Sequence, residues 1–229
     1  MIEVRDVAKT YDTGGIPVRA LNNVNLNVAE GEFVAVMGPS GSGKSTLLAV
    51  LGAMNPATLG RVLIDEIDIY ALSTEQQADF RHEYLGFVFQ QLQLLPYLTA
   101  QENVLLGLAI ARLGRTDKVS RAREVLDQVG LKGKEDRLPY QLSGGEQGRV
   151  AVARAIVNEP PLILADEPTG NLDRATGRQV LDLLRDLNHA GHTVMMVTHD
   201  AQAAQFAGRV VSILDGQIID DVVVQSAVV

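Results

Sequence analysis

Hydrophobic positions along the chain recur with two spacings, one typical of strands and the other of helices. The compact apolar run at 33–37 predicts a buried strand, and Val180, Leu183, Leu184 and Leu187 lie at the i, i+3, i+4, i+7 spacing of a core-facing helix. The whole pattern predicts strands at 2–8, 18–28, 33–37, 61–70 (a pair), 86–90, 162–166, 193–198, 209–214 and 217–224, and helices at 44–51, 73–84, 100–112, 118–130, 145–158, 174–190 and 201–207.

The order of these elements predicts the fold class. Strands alternate with helices over most of the chain, which favours an α/β domain whose mostly parallel sheet is covered on both sides. Strand patterns disappear between 91 and 142, so we expect this segment to form a helical subdomain. A length of 229 residues fits one domain with a small insertion of this kind.

Composition and charge narrow the classes of function. The chain has no cysteine, which excludes disulfides and thiolate metal sites, and its formal net charge of -8 argues against a nucleic-acid partner and against docking on an anionic membrane. The charged segment 1–6 is not followed by an apolar signal region, and no window approaches the roughly 18 apolar residues of a membrane span. We therefore expect a cytoplasmic chain that reaches a membrane only through a partner.

A glycine-rich loop at 38–45, with the sequence GPSGSGKS, connects the predicted strand at 33–37 to the predicted helix at 44–51. Its glycines permit backbone angles and close approaches that side chains would block, so amides can converge on phosphate oxygens at a helix N-terminus. Lys44 can then reach the β- and γ-phosphates, and the Ser45 hydroxyl can bind Mg²⁺. A glycine turn without a ligand is the alternative, but the strand–loop–helix context favours a nucleotide site.

Two carboxylates, Asp166 and Glu167, follow the apolar run at 162–165. They are expected at the carboxyl edge of a buried strand, where open α/β sheets bind ligands. Asp166 can bind Mg²⁺, and Glu167 can orient or deprotonate an attacking water molecule. A solvated acidic turn is the alternative, which the presence of the glycine loop makes less attractive.

Three further side chains are candidates on weaker grounds. His199 follows the strand at 193–198 and can sense a γ-phosphate, whereas Gln90 ends the strand at 86–90 and its amide can meet Mg²⁺ or the attacking water. Tyr11 can stack on an adenine ring. A structural role is open for each of them: a hydrogen-bonding histidine, a polar strand end, and a packed or surface tyrosine.

The segment 142–146, with the sequence LSGGE, precedes the helix predicted at 145–158. Gly144 and Gly145 expose backbone amides and Ser143 adds a hydroxyl, which together predict a second anion-binding helix N-terminus. A simple monomeric hydrolase needs only one such end. We therefore expect a site that a second copy of the chain completes.

In combination, these motifs resemble the nucleotide-binding subunits of ABC transporters over about residues 1–220. The resemblance implies a P-loop NTPase (RecA-like) core with an N-terminal antiparallel β-subdomain and an inserted helical subdomain. It divides the single domain 1–229 into 1–90 and 143–229 for the core and β-subdomain, and 91–142 for the helical subdomain. The motif correspondences are Tyr11 with the adenine-stacking aromatic, 38–45 with Walker A, Gln90 with the Q-loop, 142–146 with the signature, 162–166 with Walker B, Glu167 with the catalytic glutamate, 170–173 with the D-loop and His199 with the switch histidine.

ATP and Mg²⁺ are the cofactors that the resemblance implies. It also implies a head-to-tail dimer in which each ATP lies between the Walker A loop of one copy and Ser143 and Gly145 of the other. The implied site residues are Lys44, Gln90, Glu167 and His199 for catalysis; Ser45, Gln90 and Asp166 for Mg²⁺; and Tyr11, Gly38, Pro39, Ser40, Gly41, Ser42, Gly43, Lys44, Ser45, Thr46, Ser143, Gly144, Gly145, Glu146 and Asp173 for the nucleotide.

The segment 165–173, with the sequence ADEPTGNLD, is similar to one group within the family, the lipoprotein-releasing, macrolide-efflux and FtsE-like division ATPases. The family resemblance implies a membrane permease as partner, contacted by the helical subdomain and the Gln90 region, and peripheral placement on the cytoplasmic face of the membrane. The similarity to this group implies mechanotransmission, in which closure of the dimer moves periplasmic parts of the permease and the substrate need not cross the membrane. An ABC-type ATPase that acts without a permease and an FtsE-like division regulator are the alternatives. Gly148 departs from the family pattern and is expected to cost the helix up to roughly 1 kcal/mol relative to alanine.

Overall fold

Two β-sheets organise the computed structural model of the protein, which describes residues 1–12 and 14–224. The strands are β1 (Ile2–Tyr11), β2 (Val18–Val28), β3 (Phe33–Met37), β4 (Leu59–Ile64), β5 (Ile67–Asp68), β6 (Leu85–Val88), β7 (Leu162–Asp166), β8 (Thr193–Thr198), β9 (Arg209–Leu214) and β10 (Gln217–Val223). The helices are α1 (Lys44–Leu51), α2 (Thr74–Tyr84), α3 (Ala100–Leu105), α4 (Arg115–Gln128), α5 (Gly144–Ile156), α6 (Arg174–His189) and α7 (Ala201–Ala204), and short 3-10 turns occupy Leu106–Leu108 and Pro139–Gln141. Residue 13 and residues 225–229, which the predicted domain included, lie outside the described part.

The two sheets differ in strand direction. The first has the order β2-β1-β4-β5 and is antiparallel. The second has the order β10-β9-β3-β8-β7-β6, in which only β10 runs antiparallel to its neighbour. This arrangement confirms the predicted α/β class with its mostly parallel sheet and N-terminal antiparallel sheet.

Strand β3 shows how the parallel sheet is buried on both faces. Val34 and Val36 pack into a core shared with the antiparallel sheet and α1, whereas Phe33 and Ala35 pack into a second core built with α3 to α6. Successive side chains of a strand point to opposite faces, so a strand covered on both sides must be apolar throughout. The continuous apolar run at 33–37 is therefore the sequence signature of this central position.

The segment 91–142 is described in full and contains α3 and α4 but no strand. The single helix predicted at 100–112 is wrong, because α3 ends at Leu105 and a 3-10 turn follows. Gly107 lies in that turn, and a Cβ atom at this position would come within 2.6 Å of the Arg154 carbonyl oxygen on α5. The close approach of α5 thus bends a segment whose apolar spacing alone favours a longer helix.

Several other predicted boundaries also differ from the structure, among them the start of α4, which begins at Arg115 and not at residue 118. β1 continues to Tyr11 instead of ending at residue 8, β6 ends at Val88 so that Gln90 lies beyond the strand, and α7 covers only Ala201–Ala204 of the predicted 201–207. Within the described ranges, no helix combines the length and apolar character that crossing a membrane requires.

Candidate functional site

Three adjacent strands bring the candidate residues to one edge of the parallel sheet. β8 lies between β3 and β7, and all three run in the same direction. The glycine loop, Glu167 and His199 follow their carboxyl ends, which meet at a cleft of about 630 Å³. The cleft is lined by Ala20, Pro39, Ser40, Gly41, Gly43, Lys44, Ser45, Thr46, Gln90, Glu167 and His199.

The glycine loop requires glycine at two of its positions. A Cβ atom at Gly38 would lie 2.2 Å from the Ile213 carbonyl oxygen, and one at Gly43 would lie 2.4 Å from the Ala20 carbonyl oxygen. Gly43 also has a φ of 104°, which a side chain strongly disfavours. The loop is therefore held tightly against β2 and β9.

Lys44 is buried, with 5% of its surface exposed, and its ammonium group lies inside the loop. Its Nζ donates hydrogen bonds to the carbonyl oxygens of Gly38 at 2.8 Å and Pro39 at 2.9 Å. These neutral acceptors hold the ammonium group in place without cancelling its charge, so it can still attract a phosphate.

The N-terminus of α1 is suited to phosphate oxygens. Gly43 occupies its N-cap position and provides no side-chain cap, although the first amides of a helix have no partners within the helix. Within the described residues, the Ser42 hydroxyl is buried and has no hydrogen-bond partner. Phosphate oxygens would satisfy these donors, which supports a fit between the loop and a nucleotide.

A pair of oxygen atoms suited to Mg²⁺ lies beside the loop. The Ser45 hydroxyl donates a hydrogen bond of 3.0 Å to Asp166 Oδ1 at the end of β7. Burial raises the pKa of Asp166, and the Glu167 charge acts in the same direction, whereas the Ser45 hydrogen bond and Lys44 lower it. Hard oxygen ligands of this kind are those that Mg²⁺ prefers.

Glu167 lies at the centre of the polar contacts in the cleft. Its backbone has a φ of 44°, and its amide donates to the Val197 carbonyl oxygen at 2.9 Å. Gln90 Nε2 donates to Oε2 of Glu167 at 3.3 Å, and His199 Nδ1 lies 3.0 Å from Oε1. Gln90 and His199, each a weak candidate by itself, thus both contact the same carboxylate.

Two contributors to this site are not among the residues predicted from the sequence. Asn171 donates a hydrogen bond of 2.9 Å from Nδ2 to the Gln90 carbonyl oxygen, and a Cβ atom at Gly170 would come within 3.1 Å of Gln90 Nε2. Ala20 lines the cleft from β2. Asn171 lay within the segment matched to the D-loop, but no signal in the sequence distinguished Ala20.

The LSGGE segment forms a self-contained helix cap. The Ser143 hydroxyl accepts from the Glu146 amide at 3.3 Å, and Glu146 Oε2 accepts from the Ser143 amide at 2.9 Å. Glu146 Oε1 pairs with Lys134, whose hydrogen bond lowers the pKa of Glu146. Among the described residues that line the cleft, none belongs to 143–146, so these residues lie outside the nucleotide cleft of their own chain.

Tyr11 and Asp173 are placed in structural contacts. The Tyr11 hydroxyl accepts a hydrogen bond of 2.7 Å from Asn55, and the ammonium group of Lys9 lies 5.0 Å from its ring centroid. Asp173 caps α6 and accepts from the amides of Ala175 and Thr176 at 3.0 and 3.1 Å. Neither is among the described residues that line the cleft, so their nucleotide contacts remain predictions.

The fold and this site together define a P-loop nucleotide-binding domain. Comparison with known proteins makes the class more specific, because the family model described as ABC transporter matches residues 21–170. An uncharacterized ABC transporter ATP-binding protein of Methanocaldococcus jannaschii, MJ0796, is 47% identical over 223 residues, which cover 95% of each chain. The macrolide export ATP-binding/permease protein MacB of Mannheimia succiniciproducens is 45% identical over 221 residues, which cover 96% of this chain but only 34% of that protein.

Among solved structures, a dimeric post-hydrolysis state of the ATP-binding cassette MJ0796 bound to ADP and Pi matches with a TM-score of 0.90. The two sequences are 44% identical, and the match covers 98% of this chain and 99% of the other. The chain therefore belongs to the ABC transporter family, as an ABC-type ATPase. It spans about a third of the length of the MacB protein and nearly the full length of the archaeal relative.

Proposed function

We propose that the chain binds ATP with Mg²⁺ in the cleft beside the glycine loop and hydrolyses it when a second copy closes over the nucleotide. The observation that carries the proposal is the convergence of Gln90 and His199 on the Glu167 carboxylate at the edge of the sheet. A base held from two sides can be aligned with a single water molecule, and alignment is a large part of the catalysis of phosphoryl transfer.

Each residue of the cleft has a distinct role in this proposal. Lys44 and the amides at the start of α1 bind the β- and γ-phosphates, and Ser45, Asp166 and Gln90 hold the cation. Bound Mg²⁺ supplies charge neutralisation on the phosphates. Glu167 orients the attacking water and accepts its proton. With Nδ1 donating to Glu167, His199 keeps Nε2 for the γ-phosphate.

The second copy contributes the signature segment. Ser143, Gly144 and Gly145 lie outside the cleft of their own chain, while the amides at the start of α5 and the Ser143 hydroxyl are suited to an anion. In a head-to-tail dimer these groups grip the γ-phosphate held by the other copy. Tyr11 stacks on the adenine ring, and Asp173 contacts the nucleotide where the two copies meet. The dimeric assembly of the solved MJ0796 cassette supports this arrangement.

A membrane permease is the proposed partner to which closure of the dimer is transmitted. A groove of about 490 Å³ beyond the Gln90 region supports this proposal, and its apolar wall includes Met54, Phe87, Phe89 and Leu106. The name of the MacB relative describes both an ATP-binding protein and a permease in one chain. We propose a permease of the macrolide-efflux or lipoprotein-release type, with the chain on the cytoplasmic face and ATP-driven closure transmitted across the membrane. Isolation from detergent-solubilised membranes without an integral protein would instead favour an ATPase that acts alone.

Glu167→Gln tests the ATPase site and the dimer together. The substitution removes the base and keeps the size of the side chain and one of its two acceptor oxygens, so hydrolysis is expected to fall by roughly 10²-fold or more. ATP is then expected to accumulate in a dimer, measurable by light scattering after gel filtration. The same variant carrying Lys44→Ala is the control and should remain monomeric. A Glu167→Gln chain that stays monomeric at saturating ATP would contradict the proposal.

A further inference from the structure

The N-terminus of α5 carries a negative charge at the place where a phosphate is proposed to bind. Glu146 is the third residue of the helix, and only 17% of its side chain is exposed. A helix N-terminus is equivalent to roughly half a positive charge, so one carboxylate in the first turn reverses the sign of the local field. By itself, Glu146 would make this end repel an anion.

Lys134 counters that charge from the turn between α4 and α5. Its Nζ pairs with Glu146 Oε1, whereas the Ser143 amide donates to the other carboxylate oxygen, Oε2. The two contacts use different oxygens, so the lysine adds to the helix cap without competing with it. Arg149 on α5 is a further cation whose charge also lowers the pKa of Glu146, but it acts more weakly than Lys134, and its guanidinium group donates to Gln179 on α6 at 2.7 Å.

We propose that Lys134 is a positioning residue for the ATP grip in trans: it cancels the charge of Glu146, so that the start of α5 attracts the γ-phosphate held by a second copy of the chain. This inference rests on the ATP-sandwich dimer proposed above. The ion pair between Lys134 and Glu146 would then directly raise the affinity of the dimer for ATP.

A purely structural role predicts a different pattern of mutational effects. If the ion pair only fastens the turn to α5, removal of either partner loosens the same contact, and both single substitutions weaken ATP-driven dimerisation. If charge compensation is the role, the two single substitutions act in opposite directions. Loss of the lysine leaves a bare carboxylate, whereas loss of the carboxylate leaves an extra positive charge.

The test uses the full chain carrying Glu167→Gln and measures the ATP concentration for half-maximal dimerisation by light scattering. Lys134→Ala should raise this concentration about fivefold, and Glu146→Gln should lower it about twofold, as expected for one unit charge several ångströms from a phosphate at a hydrated surface. The double variant Lys134→Ala/Glu146→Gln should return to within about twofold of the parent, because the compensated charge is gone as well.

Lys132→Ala is the matched control, because Lys132 pairs with Asp127 at 3.1 Å in the same region but away from the signature segment. It should leave the half-maximal ATP concentration unchanged. Raising the salt concentration should reduce the Lys134→Ala defect, since mobile ions partly screen the uncompensated Glu146 carboxylate.

Three outcomes would overturn the inference. Weakening by both single substitutions would establish a structural fastening, failure of the double variant to recover would exclude charge compensation, and equality of Lys134→Ala with Lys132→Ala would exclude any role. If the Glu167→Gln parent itself does not dimerise with ATP, the proposed function fails and this inference fails with it. If the parent dimerises and the order of the variants is wrong, only the role of Lys134 fails.

Discussion

The N-termini of α1 and α5 both follow glycine-containing segments, yet they are capped in opposite ways. At α1 the N-cap is Gly43, no side chain caps the helix, and its first turn contains no acidic residue. At α5 the Ser143 and Glu146 side chains satisfy each other's backbone amides in a complete capping box. The first end thus leaves donors for a ligand, whereas the second already satisfies part of its own.

Under the proposed function, this difference would divide the binding of the γ-phosphate between the two ends. Buried donors without partners are costly, so α1 gains from every phosphate contact and is expected to hold its nucleotide firmly. α5 is stable without a ligand and exchanges existing contacts for new ones, so its grip is expected to be weaker and reversible.

Lys44→Ala is expected to have the largest effect and tests the α1 end. It removes the buried ammonium group that is proposed to bind the phosphates, so phosphate release is expected to fall by roughly 10²- to 10³-fold. Stability should change little, because the lost hydrogen bonds go to loop carbonyl oxygens that water can reach through the open cleft. Steady-state phosphate release and urea unfolding measure the two effects separately.

Lys118→Ala is a suitable control, because Lys118 also donates to a carbonyl oxygen, that of Ala109 at 3.2 Å, but lies outside the cleft. Its phosphate release should match that of the parent. Normal turnover by Lys44→Ala would reject the assignment of the cleft as the nucleotide site.

Ser143→Ala tests the α5 end, where one side chain caps the helix and is proposed to bind the phosphate as well. Loss of the cap should lower the free energy of unfolding by about 1 kcal/mol. Hydrolysis should fall as well, because the hydroxyl donor in trans is lost. Urea unfolding without nucleotide and phosphate release with ATP measure these two losses.

Mixing Ser143→Ala chains with Lys44→Ala chains tests whether the Ser143 hydroxyl acts on the nucleotide of its own chain or on that of the partner copy. A mixed dimer contains one complete composite site, formed by the glycine loop of the first chain and the signature of the second. Equal mixing of two symmetric partners should therefore recover roughly a quarter of the parent activity if the sites act independently. A Ser143→Ala chain with undiminished hydrolysis would show that the role in trans is wrong.

The α1 end was predictable from sequence because its determinants are local. The apolar run of β3, the glycines of the loop and Lys44 follow one another directly, and the right order of strands, loop and helix leaves little choice of geometry. The mostly parallel sheet was predictable for the same reason, since alternating strands and helices of this length dictate it.

The contacts that refine both ends were not predictable, because they join distant residues through particular side-chain directions. Gln90 and Asn171 meet through a hydrogen bond across 81 positions, and Lys134 meets Glu146 across 12. No periodicity marks such pairs. The predicted length of α3 was wrong for a related reason. The close approach of α5 at Gly107 is a tertiary effect that outweighs the helical spacing of the apolar residues.

Gly148 is expected to show the smallest effect and tests how tightly α5 is held. Helix propensity alone predicts that Gly148→Ala stabilises the chain by about 1 kcal/mol. However, a Cβ atom there would lie 3.1 Å from Val180 Cγ2 and 3.4 Å from Leu172 Cδ1, so crowding against α6 opposes the gain. Because overpacking costs on the order of 1 kcal/mol or more, urea unfolding without nucleotide should detect almost no net change.

The same substitution in a Val180→Ala background removes the crowding and should reveal the full propensity gain. Equal stabilisation in both backgrounds would mean that the α5–α6 contact has room to spare, and that the start of the signature helix is less rigidly placed than its capping box indicates.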